Sequence, residues 1–308
     1  MNKMISIVSP VYNEEGNIKV FYLELKKVLD SLEYDYELIF VNDGSKDNSL
    51  VYLVELTQSD PKVKIINLSR NFGHQLAITA GLDYSRGDCL IILDSDMQDP
   101  PSVIKELLSN WEDGFQIVNA KRRSRQDGFF KNFTAKVFYK FLNSILTNKI
   151  PENVGDYRLL DKKAVGILQN IKEKDRYLRG LSTWIGFKQT EVLFDRDKRH
   201  SGRTHYPFSK MISLAMNAIF SFSRVPMKLA TFFSTFFLGL SLLIIIYVGV
   251  SLVQGHTVAG WASTLLIFAI FSGIQMMVLA IISEYVGRIY TQVQNRPLYI
   301  IDEIIEKK

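Results

Sequence analysis

Hydrophobic residues in the first 120 positions follow two periods in turn. Short apolar runs rich in Ile and Val predict strands covered on both faces: Met4–Ser9 (MISIVS), Tyr36–Val41 (YELIFV), Val63–Leu68 and Asp88–Leu93 (DCLIIL). Between them, Asn17–Leu32, Asp47–Ser59 and His74–Ser85 read as helices, the last closed by Arg86-Gly87. This βαβα order predicts an α/β domain with a mainly parallel, Rossmann-like sheet. In such sheets ligands bind beyond the carboxyl ends of the strands. Polar residues gather at those ends: Tyr12-Asn13-Glu14-Glu15, Asn42-Asp43-Gly44-Ser45, Ser69-Arg70-Asn71 and Asp94-Ser95-Asp96. Four separate strand ends therefore point to one site.

The pattern changes in the second half. From Leu229 to Ser283, 55 residues contain no Asp, Glu, Lys or Arg. A bilayer span needs about 20 apolar residues, and this stretch supplies two, Leu229–Val253 and Trp261–Ser283, around the turn QGHTVAG. The expectation is a two-helix transmembrane hairpin. Lys210, Arg224 and Lys228 precede it, Arg288 and Arg296 follow it, and the turn has neither Lys nor Arg. The positive-inside rule then places both termini in the cytoplasm of a multi-pass inner or plasma membrane protein. The start, MNKMISIVSP, has too short an apolar run for a cleaved signal peptide, so the large domain is expected to stay inside. Phe208, Met211, Ile212, Ala215, Ile219 and Phe222 recur at helical spacing before Pro226, as in interfacial amphipathic helices or an ordinary packed connecting helix. The expected division is 1–205 for the α/β domain, 206–228 for the juxtamembrane helices, 229–283 for the hairpin and 284–308 for a cytoplasmic tail.

Composition excludes several classes. With 308 residues, 47% hydrophobic and 22% charged, the chain is not a disordered one. A single cysteine, Cys89, excludes a disulfide scaffold or a Cys-rich metal site and reads as strand core. Charges after Ser283 balance, so the net +5 belongs to residues 1–228. Two basic clusters lie there: Lys121, Arg122, Arg123, Arg125 and Lys131, then Arg196, Lys198, Arg199, Arg203 and Lys210. Basic residues beside an apolar segment suit anionic lipid or phosphate ligands; no nucleic-acid module accompanies them, so nucleic acid is not an expected partner. Gly239, Gly249 and Gly273 in the spans allow close packing against copies of the chain, and a homo-oligomer is expected.

No G-x-G-x-x-G follows the first strand and no G-x-x-x-x-G-K-[ST] occurs, which disfavours dinucleotide dehydrogenases and P-loop enzymes. Asp94 and Asp96, one residue apart where a strand opens into a turn and followed by Gln98 and Asp99, can hold a hard divalent ion, Mg²⁺ or Mn²⁺, with positions left for substrate phosphates.

The runs V-S-P-V-Y-N-E-E-G-N-I, V-N-D-G-S-K-D-N-S, S-R-N-F-G-H-Q-L-A-I-T-A-G-L-D and L-D-S-D-M-Q-D-P-P resemble glycosyltransferase family 2. With N-V-G-D-Y-R-L-L-D, R-H-S-G-R-T-H-Y-P-F-S-K, two spans and the E-Y-V-G-R-I-Y and N-R-P-L-Y tail, the pattern is similar to polyprenyl-phosphate glycosyltransferases, the bactoprenol glucosyltransferases and, more distantly, dolichol-phosphate mannose synthase.

That resemblance implies a GT-A fold and inverting transfer of a hexose from a nucleotide sugar to a polyprenyl phosphate. UDP-glucose is the first expectation for the donor and UDP-N-acetylglucosamine the next. It implies that Pro10, Tyr12, Glu14, Asp43 and Asp94 line the nucleotide-sugar pocket, with Lys121 beside them. Asp94, Asp96 and Gln98 would serve the metal and diphosphate, and Asp96 and Asp156 the catalysis, Asp156 as base or as the group orienting Arg158. Arg122, Arg158, Arg199 and Arg203 are expected at the acceptor phosphate. Where the family usually has Ser-Lys, this chain has Thr204-His205. His74 and His200 read as ordinary polar residues, Trp184 and Phe187 as packing residues, and Glu284 as an interface residue. Two alternatives stand beside this reading. A processive polysaccharide synthase would carry Q-x-x-R-W and more spans, which this chain does not. A non-catalytic membrane-bound nucleotide-sugar sensor would not need Asp94, Asp96 and Asp156 together.

Overall fold

The computed structural model describes residues 3–123, 154–174, 176–195, 225–254 and 260–307. The chain divides into two compact units, one of Met1–Ser144, Asn148–Phe208 and Arg296–Lys308, the other of Ile145–Thr147 and Ser209–Asn295.

In the first unit the apolar runs become strands β1 (Met4–Val11), β2 (Asp35–Asn42), β3 (Val63–Leu68) and β4 (Cys89–Ile92). Helices α1 (Ile18–Leu29), α2 (Ser49–Ser59) and α3 (His74–Tyr84) lie between them. Beyond β4 come α4 (Ile104–Glu112), β5 (Ile117–Arg122), β6 (Val154–Asp161), α5 (Lys162–Asn170), α6 (Leu178–Trp184) and β7 (Gln189–Phe194). Strand β8 (Ile301–Glu306) closes the chain.

Among the described residues, eight strands form one sheet in the order β7-β5-β6-β4-β1-β2-β3-β8. The pairs β1–β2, β1–β4, β2–β3 and β5–β7 are parallel, whereas β6 runs against β4 and β5, and β8 against β3. The expected mainly parallel α/β sheet is therefore present. Its central strands are buried along nearly their whole length, as two-sided cover requires. Helix α1 turns Ile18, Phe21, Tyr22, Leu25 and Leu29 inward, one apolar stripe at 3.6-residue spacing. Each such side chain contributes roughly 1.5–3 kcal/mol of burial. Helix α3 sits so close to β1 that a Cβ on Gly81 would meet Val8 Cγ1 at 2.2 Å, which requires glycine there.

The tail differs from expectation. Read as a separate segment, residues 284–308 instead include the end of a helix and an edge strand. Ser69 donates its amide to Ile300 O at 3.0 Å, and the Tyr299 hydroxyl donates to Asp83 Oδ2 at 2.7 Å. Lys64 pairs with Glu306 at 3.4 Å.

The second unit holds α7 (Val225–Val253) and α8 (Trp261–Val293). They pack on each other, with the Phe237 and Phe271 rings 5.1 Å apart at 73°. Among the described residues, Ile270–Val293 is long and apolar enough to cross a membrane, and Val225–Leu240 is a shorter apolar run. The second helix outlasts the expected end at Ser283 by ten residues, and Glu284 and Arg288 pair at i,i+4 (2.8 Å) within that extension. Pro226 stands in the first turn of α7, where its missing N–H leaves no bond unmade. The turn 255–259, the juxtamembrane stretch up to residue 224, and the candidates Arg199 and Arg203 lie outside the described residues.

Candidate active site

The site is built where β4 and β6 pass in opposite directions. Their register pairs Ile92 with Arg158. Asp94 comes two residues after Ile92, just past the end of β4, and Asp156 two residues before Arg158, so the antiparallel strand brings its beginning to the carboxyl end of the parallel ones.

Asp156 is buried and fully engaged. Arg179 grips it with two charge-assisted bonds, Nε to Oδ1 and Nη2 to Oδ2, both 2.9 Å. Gln75 Nε2 donates to Oδ2 at 3.3 Å and His74 Nε2 lies 3.2 Å from it. Gln75 also accepts the Leu178 amide at 3.0 Å, which joins the start of α3 to the start of α6 across the carboxylate. Burial alone would raise the Asp156 pKa. The Arg179 charge and the His74 and Arg179 hydrogen bonds outweigh it and hold the carboxyl well below the usual range.

His74 has its side chain 42% exposed and reaches a second acid, Asp94 Oδ1, at 3.7 Å. The partial loss of water around the ring would lower its pKa, but Asp94 and Asp156 raise it to about 9. Burial, with Asp156 and Asp96 nearby, pushes the Asp94 carboxyl up, and His74 pulls it back. Asp94 Oδ1 is buried and accepts no hydrogen bond. Asp96 Oδ1 accepts the Gln98 amide at 3.1 Å, closing a tight turn in which Met97 takes φ 60°. Ser95 Oγ donates to Pro10 O at 3.1 Å and ties this turn to the end of β1.

Among the described residues no group of three or more His, Cys, Asp or Glu side chains converges as a ready metal site. Two carboxylates suffice for Mg²⁺ or Mn²⁺ when substrate phosphates and water complete the oxygen shell. The unsatisfied Asp94 oxygen fits that role.

Asp43, at the end of β2, accepts the Phe72 amide on Oδ1 at 2.7 Å and the Gly73 amide on Oδ2 at 3.0 Å. It thereby fixes the turn that launches α3 and His74. Burial pushes its pKa up against these two amides. Gly44 beside it has φ +65°, and a Cβ there would meet Arg70 C and Asn71 N at 2.5 Å. The loops after β2 and β3 therefore touch backbone to backbone. Tyr12 is 43% exposed just past β1, and the Glu14 amide donates to Ser49 Oγ at 2.9 Å.

The basic candidates separate. Lys121 on β5 pairs with Glu191 at 2.6 Å, and Arg122 Nη2 lies 3.5 Å from Asp99. Arg158 does not meet Asp156 by a hydrogen bond, contrary to the expected orienting pair. Residues two apart on a strand share a face, yet the Arg158 side chain, 2% exposed, turns away from Asp156 and donates to Ser182 Oγ and to Gly155 O. Burial lowers its pKa to about 10. The arginine on Asp156 is Arg179, which sequence reasoning did not select. His74, read as an ordinary polar residue, proves to be central.

Residues 6–167 match the family model "Glycosyl transferase family 2". The chain belongs to glycosyl transferase family 2. It is 46% identical over 302 residues to the glycosyltransferase YkcC of Bacillus subtilis (strain 168), covering 97% of this chain and 93% of that one. It is 39% identical over 299 residues to the SfII prophage-derived bactoprenol glucosyl transferase of Shigella flexneri, covering 96% and 97%. Among solved structures, Staphylococcus aureus TarS 1–349 in complex with UDP-GlcNAc aligns with a TM-score of 0.49 at 15% identity, over 71% of this chain and 67% of that one. That likeness is too remote to carry chemistry across. As a family 2 member the protein is a glycosyltransferase.

Proposed function

We propose that the enzyme transfers glucose from UDP-glucose to a polyprenyl phosphate such as undecaprenyl phosphate, with inversion, at the cytoplasmic face of a membrane in which α7 and α8 form a hairpin anchor. The observation that supports this most is the convergence of Asp94, Asp96 and Asp156 at one sheet edge, in a chain 39% identical over nearly its full length to a bactoprenol glucosyl transferase.

Each part of the chemistry has a residue to serve it. Asp43, Tyr12 and Glu14 line the uridine end of the edge. Asp94 and Asp96 would hold Mg²⁺ or Mn²⁺, which when bound neutralises charge on the departing diphosphate. The acceptor phosphate approaches the anomeric carbon from the face opposite UDP, so a new carbon–oxygen bond forms as the old one breaks and configuration inverts. A phosphate monoester is largely ionised near neutrality, its second pKa being about 6, and hardly needs a base. Asp156, saturated by Arg179, His74 and Gln75, suits a positioning role better than proton abstraction. Arg122, Arg199 and Arg203 serve the acceptor phosphate in this reading.

The test is direct. Full-length protein is incubated with UDP-[¹⁴C]glucose, Mg²⁺ and undecaprenyl phosphate. Chloroform-soluble, mild-acid-labile label is expected. Label in polymer would replace this reading with a processive synthase, and UDP-glucose binding without transfer would replace it with a sensor.

A further inference from the structure

We propose that His74 couples the two substrate subsites, so that occupation of the donor side at Asp94 strengthens binding of the acceptor phosphate beside Asp156. This deepens the reading above and rests on it for the assignment of the two sides.

One ring nitrogen faces two acids. His74 Nε2 is 3.2 Å from Asp156 Oδ2, within hydrogen-bond reach, and 3.7 Å from Asp94 Oδ1, beyond it. Asp94 Oδ1 is buried with no hydrogen bond, so the ring is drawn toward it without satisfying it. A ligand that engages Asp94 removes one of the two competitors and leaves the imidazole to Asp156. The effect spreads because Asp156 also anchors Arg179 and Gln75, and Gln75 holds the Leu178 amide at the start of α6. The ring is 42% exposed on its side chain and can shift between the two acids. The turn that carries it is in turn held by Asp43 through the Gly73 amide, so the donor side reaches His74 from two directions. Coupling of two ligands through one element is reciprocal and typically 5–150-fold.

The measurement is of binding, with full-length protein in detergent. Farnesyl phosphate is titrated calorimetrically with and without saturating UDP and Mg²⁺. In the wild type, UDP is expected to tighten farnesyl phosphate about fivefold or more, and farnesyl phosphate to tighten UDP by the same factor. His74→Phe keeps a ring of similar size but has no donor, and reduces the factor to about one. His74→Gln, which can still donate to one acid, restores part of it and covers the case in which the Phe variant fails to fold. Equal coupling in wild type, His74→Phe and His74→Gln overturns the inference, as does a wild type in which UDP leaves farnesyl phosphate binding unchanged or no farnesyl phosphate binds. Failure of glucose transfer to undecaprenyl phosphate would instead overturn the proposed reaction while leaving a measured coupling intact.

Discussion

Arg179 lies side by side with Asp156, one guanidinium nitrogen on each carboxylate oxygen at 2.9 Å. A lysine keeps the charge but offers a point contact in place of the fork. Arg179→Lys is expected to lower kcat for glucose transfer roughly 10- to 100-fold with less change in KM for UDP-glucose. Steady-state kinetics on both substrates decides it; an unchanged kcat would remove Arg179 from the machinery.

Asp156 itself separates a positioning role from a basic one. With burial outweighed by Arg179 and His74, its carboxyl ionises well below the ordinary range and stays charged throughout neutral pH. Asp156→Asn should therefore lose activity to the same extent at about pH 6 and about pH 8, where the acceptor phosphate changes its own ionisation. Recovery near pH 8 alone would identify a base.

Away from the site, Asp60 links α1 to the start of β3. Its Oδ2 accepts from the Tyr22 hydroxyl at 2.8 Å and Lys26 Nζ at 3.0 Å, and its Oδ1 from the Lys62 amide at 2.9 Å. Burial acts to raise its pKa, but these partners lower it below the ordinary value. A depressed carboxyl stabilises the fold fully above its unfolded pKa and loses that contribution as pH falls through the folded one. Asp60→Asn should cost about 1–3 kcal/mol near neutrality, and the gap to wild type should narrow below about pH 4. Thermal unfolding at several pH values reads it; a gap that widens in acid would contradict the assignment.

Much of this organisation is legible in the sequence, and the exceptions have physical causes. Strands β1 to β4 and helices α1 to α3 fall where the Ile/Val runs and helical stripes put them, because each is buried along one continuous local pattern. Strand β8 (IDEIIE) reads as a charged tail. It is a half-exposed edge strand whose partner β3 is more than 200 residues away, and that pairing leaves no local signal. The acids at the strand ends are visible as a cluster, yet their arrangement depends on the antiparallel register of β4 and β6. His74 and Arg179 reach those acids from α3 and α6, helices far apart in the chain. Gln75 and Leu178, which link the same helices, are 103 residues apart. Spacing could not have shown that the arginine on Asp156 is Arg179 and not its near neighbour Arg158.

The tail strand gives its own test. Tyr299→Phe removes the bond to Asp83 and should cost about 1 kcal/mol, seen as a fall of a few degrees in Tm. Deleting residues 299–308 strips β8 from β3 and bares an edge, so a larger fall with concentration-dependent aggregation is expected. Unfolding indistinguishable from wild type would mean that β8 contributes nothing to the sheet.

The two aspartates of the 94–96 turn make the last prediction, and it does not depend on turnover. If they serve a divalent ion that bridges to the donor diphosphate, UDP binding must depend on that ion and on both carboxylates. Wild-type affinity for UDP, measured calorimetrically, is expected to fall at least about tenfold when EDTA replaces Mg²⁺, each tenfold being about 1.4 kcal/mol. Asp94→Asn and Asp96→Asn should bind UDP equally weakly with and without Mg²⁺. Asparagine keeps the size and one oxygen of each side chain, so the loss reports charge and not packing. Asp94→Asn removes one of the two carboxylates that approach His74 within 4 Å among the described residues and leaves Asp156, whereas Asp96→Asn leaves that geometry alone. The two variants should therefore agree in metal dependence and differ in their response to farnesyl phosphate. UDP affinity that ignores both EDTA and these substitutions would remove the metal from the donor site.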